Sequence, residues 1–161
     1  MFFWGMSFIW TSSLLNYYQP VTIILIRLVI SSAFLFGILR LFWPHERLAP
    51  KDFKLVLLSA FFNPFLYFLG ESYGLKFSTP TISAVIIATI PVLSPLVAYL
   101  TYREKLSPVN FIGIAVSFGG IVLMLVTRDF SLAADVKGIL CLFGAVVSAL
   151  CYSVVLRRLT S

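Results

Sequence analysis

The sequence predicts an all-α fold, a polytopic bundle of transmembrane helices, and three observations carry that prediction. Hydrophobic residues make up 60% of the chain and charged residues only 11%, with a mean hydropathy of +1.02, far from the mix of a soluble domain. The charges fall in short clusters separated by stretches of about 20 residues, the length an apolar helix needs to cross a bilayer. Those stretches are apolar nearly all round. The alternation expected of a membrane β-barrel is missing from them, so helices are the remaining way to satisfy every backbone group in lipid.

Six spans follow, at 1–16, 21–43, 53–77, 80–101, 108–127 and 138–156. The first, MFFWGMSFIWTSSLL, is short for a crossing and has neither a basic leader nor a small-residue cleavage site. It reads as the second half of a helix whose natural chain begins earlier. Tyr17 and Tyr18 then fall at the interface, where aromatic rings are favoured.

The second span carries Arg27 and the third, within YFLGESYGL, carries Glu71. Each lies about six residues, roughly 9 Å, from the same membrane boundary. A charge in hydrocarbon costs at least about 2.5 kcal/mol and therefore turns to the bundle interior or to the headgroups. Two arrangements satisfy this placement: a direct or water-bridged pair lining a cavity, or two side chains snorkelling to the surface. On the third span Ser59, Asn63, Tyr67, Gly70, Glu71 and Gly74 share one helical stripe, whereas Phe61, Phe65, Phe68 and Leu69 fall elsewhere. The polar and glycine stripe is expected to meet protein or water and the aromatic face to meet lipid.

Proline interrupts the third and fourth spans. Pro64, Pro91 and Pro95 each leave a carbonyl without its helical donor, and such carbonyls at membrane depth must be buried against protein or line a wet cavity. Interrupted helices near the midplane occur at transporter binding sites, and they also occur as packing kinks. In the fifth span Gly113 with Ser117, and Ala115 with Gly119, form small-residue pairs suited to close helix contact. On the sixth span Cys141 and Cys151 stand about 15 Å apart along the axis, too far to bridge.

Arg40, Arg47, Lys51, Lys54, Arg103, Lys105, Arg157 and Arg158 gather on one side of the membrane, against Lys76, Arg128 and Lys137 on the other. Positive loops stay in the cytoplasm, which places loops 44–52 and 102–107 and the C-terminal end inside a multi-pass protein of a bacterial inner membrane. The net charge of +6 is accounted for by these span ends, so nucleic acid is not expected as a partner. The spans hold no His, no paired carboxylates and no H-E-x-x-H, and His45 lies in a loop; an enzyme is not expected, nor is a cofactor or a metal.

WGMSF in span one, RLVISSAFLFG from Arg27, the run KFSTPTISAVIIATIPVLSPLVAYL followed by YREKLSP, GIAVSFGGIVL in span five and SVVLRRL closing span six together resemble an EamA-type member of the drug/metabolite transporter superfamily. Tyr102 and Arg103 stand where that family often has Leu-Gly. The resemblance implies a ten-helix carrier built of two inverted five-helix repeats around a central cavity. Residues 1–127 would be the first repeat, and 128–161 the connecting loop and first helix of the second. Laying span six over span one sets Cys151-Tyr152-Ser153 on Phe3-Trp4-Gly5, aromatic then small in both.

The expected function is a secondary carrier moving small metabolites or drugs, in the exporting direction, by alternating access. Its partners are a small-molecule substrate, the lipid bilayer, and either the remaining C-terminal helices of the same transporter or a second copy. A half-size dimeric transporter and a non-catalytic assembly subunit are the alternatives. The residues expected at the cavity are Arg27, Glu71, Asn63, Tyr67 and Pro91, with Trp4, Ser7 and Trp10 from span one.

Overall fold

A computed structural model describes residues 2–42, 52–102, 107–125 and 135–160. Arg47, Lys51, Arg103, Lys105 and Arg128, on which part of the charge argument rests, lie outside the described residues, as do His45 and most of the 128–135 connection. Within them the chain is helical throughout, and each expected span is present: α1 (Phe2–Leu15), α2 (Pro20–Phe42), a broken third span, a broken fourth, α7 (Pro108–Leu125) and α8 (Val136–Thr160). Pro20–Phe42, Phe53–Lys76, Pro80–Tyr102 and Val136–Leu159 are long and apolar enough to cross a membrane.

Both interruptions fall where proline demands them. The third span divides into α3 (Phe53–Ala60), a π-helical turn (Phe61–Leu66) and α4 (Tyr67–Lys76). Pro64 cannot donate to the helical ladder, and the chain leaves helical geometry at the preceding residue: Asn63 has φ −139° and ψ 116°, the extended conformation favoured before proline, and its bond to Pro64 is cis. The fourth span divides into α5 (Pro80–Ile87) and α6 (Ile90–Tyr102), with Ala88 and Thr89 between them. Hydroxyls cover carbonyls around that gap: Thr89 Oγ1 donates to the Ile86 carbonyl at 2.6 Å and Ser94 Oγ to the Ile90 carbonyl at 2.8 Å.

The turns at one end of the bundle are built from local chemistry. Thr79 caps α5 by accepting the Ile82 amide at 3.3 Å, with Pro80 in the first turn, where its missing N–H costs nothing. Lys76 Nζ donates to Gln19 Oε1 at 3.4 Å, tying α4 to the α1–α2 turn. Asp135 accepts the Lys137 amide at 3.0 Å and so opens α8 two residues before the expected start. At its other end α8 runs on through Arg157 and Arg158 to Thr160 rather than stopping at 156. Arginine is a good helix former whose long stem carries the charge away from the apolar zone, so nothing at these residues ends the helix.

The core sits where α1, α4, α5 and α8 meet. Phe8, Ile86, Ile87, Leu142, Ala145 and Val146 are essentially inaccessible there. The tightest approach is that of α4 to α8. A β-carbon added to Gly70 would lie 2.8 Å from the Cys141 carbonyl oxygen and 3.0 Å from the Ala145 Cβ, and one on Gly74 would lie 2.5 Å from Leu142 Cγ. The glycine stripe therefore meets protein, as its small side chains require. The small-residue pairs of α7 differ: Gly113 and Gly119 have open space beside them and are not used for contact among the described residues. Phe34, Phe36 and Leu41 of α2, with Val109 and Val116 of α7, point outward.

Candidate functional site

Near the middle of the bundle a cavity of about 450 Å³ is walled by residues from five of the spans. Trp4 comes from α1, Arg27 from α2, and Asn63, Tyr67 and Phe68 from the break and the start of α4. Ile90 stands at the start of α6, and Ala149, Tyr152 and Ser153 belong to α8. Ile90 is ten residues along the chain from Pro80, or roughly 15 Å at helical rise, which is half the thickness of a hydrocarbon core. Two larger hollows, of about 620 and 520 Å³, are lined almost wholly by apolar side chains, with Lys54 the charged residue on one. Convergent polar groups distinguish the smaller cavity, and they are what a solute site needs.

The breaks build this site. Where the third span unwinds, Asn63 is turned out of the helical ladder, and the Phe62 carbonyl accepts both the Tyr67 amide across the π-helical turn and Ser148 Oγ of α8, the latter at 2.7 Å. The Ser148 bond uses the second lone pair of that carbonyl and pins the opened turn against α8. Trp4 is held edge-on against the buried Phe8, with ring centroids 5.5 Å apart.

Arg27 lies half-buried, its guanidinium over the Phe68 ring at 4.5 Å from the centroid. Behind this wall Glu71 is 3% exposed. Tyr67, its neighbour one helical turn earlier, is buried beside it, and Arg27 is near enough for its charge to act on both side chains. No contact ion pair joins Arg27 to Glu71; the two expected partners share one environment, with the guanidinium over Phe68 and the carboxyl group buried next to Tyr67.

Of the residues singled out in the sequence, Trp4, Arg27, Asn63 and Tyr67 line the cavity together. Glu71 stands behind Tyr67 rather than on the wall. Ser7 Oγ donates to the Trp4 carbonyl at 2.6 Å within α1, Trp10 is 56% exposed away from the cavity, and Pro91 is exposed on the outer side of the second break, where Ile90 faces inward instead. Phe68 departs from its expected lipid-facing position: it lies inside, under the arginine. Ile90, Ala149, Tyr152 and Ser153 were not singled out as cavity residues, nor was Ser148 as a carbonyl donor. For Tyr152 a signal existed, since the overlay of span six on span one pairs it with Trp4, and both stand on this wall.

An all-helical bundle of membrane-spanning length, broken at the midplane around a polar-lined cavity, defines the class of multi-pass membrane transport proteins. The EamA-like transporter family model matches residues 1–126, and the chain belongs to that family. Among curated relatives it is 25% identical to the uncharacterized transporter YcxC of Bacillus subtilis over 162 aligned residues, which cover 97% of this chain and 50% of that protein. It is 30% identical to the uncharacterized transporter YetK of the same organism over 75 residues, 47% of this chain and 23% of that one. The chain thus spans half the length or less of these relatives. No solved structure matches it.

Proposed function

We propose that this chain is part of a secondary carrier that exports small metabolites or drugs, with the midplane cavity as the place where the solute is held. The observation that carries the reading is the position of the cavity at two helix breaks, with walls contributed by α1, α2, α4, α6 and α8. A solute held there touches both the matched segment, residues 1–126, and the helix beyond it. Rocking of one set of helices against another around a fixed midplane site is the physical form of alternating access. In the full-length protein the remaining helices would complete the cavity. Arg40, Lys54, Arg157 and Arg158 then mark the cytoplasmic end and Lys76 with Gln19 the outer end, in a bacterial inner membrane.

The test uses the full-length protein with Asn63→Cys as its one cysteine, Cys141 and Cys151 being replaced. A membrane-impermeant maleimide is applied to intact cells and to inverted vesicles. Alternating access predicts labelling of position 63 from both sides, with the ratio shifted by a transported solute. A cysteine that is inert from both sides would remove the cavity from the transport path.

A further inference from the structure

The chemistry of the cavity wall specifies more than a generic solute, and the argument rests on the carrier reading above. Arg27 is the one charged side chain lining it, and its five N–H donors meet no hydrogen-bond acceptor among the described residues. The contact of the guanidinium with the Phe68 ring, 4.5 Å from its centroid, is a cation–π interaction with the ring face and engages no hydrogen-bond acceptor. Glu71 does not consume those donors, since it is buried behind Tyr67 and makes no contact ion pair with Arg27. The guanidinium is thereby kept in the membrane interior with its planar fork unspent.

We infer that the cavity recognises an organic monoanion, a carboxylate attached to an aromatic or branched apolar body. The carboxylate docks on the Arg27 edge, where two parallel N–H···O bonds match its geometry. The apolar body lies against Trp4, Phe68, Ile90 and Ala149. On the described walls the single cation matches a single negative charge. Among the described residues no carboxylate faces an ammonium group on the same solute, Glu71 being 3% exposed behind Tyr67. The site therefore discriminates against zwitterions and amines, and not merely in favour of anions.

Four solutes sharing a phenyl body separate these possibilities: 3-phenylpropanoate, its uncharged analogue 3-phenylpropanamide, L-phenylalanine, which adds an ammonium, and 2-phenylethylamine, which has the ammonium alone. Binding to the purified full-length protein is read as protection of Asn63→Cys from maleimide. The expected order places 3-phenylpropanoate first, about tenfold or more tighter than the amide, as the loss of charge-assisted hydrogen bonds implies. L-Phenylalanine and 2-phenylethylamine are expected to bind more weakly than 3-phenylpropanoate. Arg27→Gln should level the acid and the amide, and Arg27→Lys should retain part of the difference. Should Arg27→Gln fail to fold, the ranking on the unaltered arginine stands as the test. Equal or tighter binding of the amide, the zwitterion or the amine overturns the inference, as does absence of protection by all four. In each of those cases labelling of position 63 from both sides would still hold, so failure of the substrate class is distinguishable from failure of the carrier reading.

Discussion

Placing a methyl group at Gly70 is the most direct test of the packing on which the site depends. In Gly70→Ala the new Cβ meets the Cys141 carbonyl oxygen at 2.8 Å, with the Ala145 amide nitrogen and Cβ both at 3.0 Å. Ordinary contacts of this kind begin near 3.4 Å, so an overlap of several tenths of an ångström must be relieved, and two of the three atoms are backbone that cannot rotate away. Relief therefore means moving α4 and α8 apart by about 0.5 Å, a gap that forfeits roughly a quarter of the dispersion energy of every atom pair across the contact. Packing is the main force between helices in lipid, and overpacking of this kind costs about 1–3 kcal/mol. For a chain of this size that corresponds to a fall in Tm of roughly 2–4 °C per kcal/mol. The assay is thermal unfolding in detergent followed by a thiol-reactive dye, with Cys141 and Cys151 of α8 as the reporters. Gly144→Ala on the same helix is the control: nothing lies within 4 Å of its added carbon, and a better helix former there leaves Tm unchanged or raised. Equal Tm values for the two variants would refute the claim that α4 and α8 are in limiting contact at Gly70.

Three further outcomes follow. Ser148→Ala removes the 2.7 Å bond to the Phe62 carbonyl, which keeps the Tyr67 amide, and should cost about 0.5–1.5 kcal/mol in the same unfolding assay, with Ser148→Thr close to the original. Tyr67→Phe removes a buried hydroxyl next to Glu71; a loss of about 0.5–1.5 kcal/mol is expected, and most of it should vanish in the background of Glu71→Leu, which removes the acceptor, if coupling between the two side chains is the cause. Tyr102→Phe removes the 2.9 Å bond to the Val154 carbonyl but keeps the ring under the Arg157 guanidinium, whereas Tyr102→Ala loses both. The first should cost about 0.5–1.5 kcal/mol and the second clearly more, measured side by side.

How much of this could be read from the residues depends on how local its cause is. The spans were legible because length and apolarity in lipid leave few alternatives, and the breaks because proline acts on its own carbonyl partner and on the residue before it. Trp4, Arg27, Asn63 and Tyr67 could be nominated because polar or aromatic side chains stand out at membrane depth. What the sequence hid was rotation. Phe68 sits one position from Tyr67, and whether it faced lipid or cavity turned on how α4 emerges from the π-helical turn, which no periodicity encodes. The same holds for Ile90 against Pro91 at the second break. Ser148 and Ala149 are small residues among others on α8, and only the facing helix gives them a role.

The family match ends at residue 126, yet α4 packs more extensively on α8, which begins at Val136, than on any other helix. The boundary drawn by homology and the boundary drawn by packing therefore do not coincide. A gene cut at the first would yield a fragment with the Gly70 and Gly74 face laid bare to lipid and the Ser148 bond to the Phe62 carbonyl lost. Expressed as two separate polypeptides divided between 126 and 135, the pieces should instead find each other, because the connection is dispensable wherever the interface itself supplies the recognition. Heredity and assembly use different units in this protein, and truncation experiments need to respect the second.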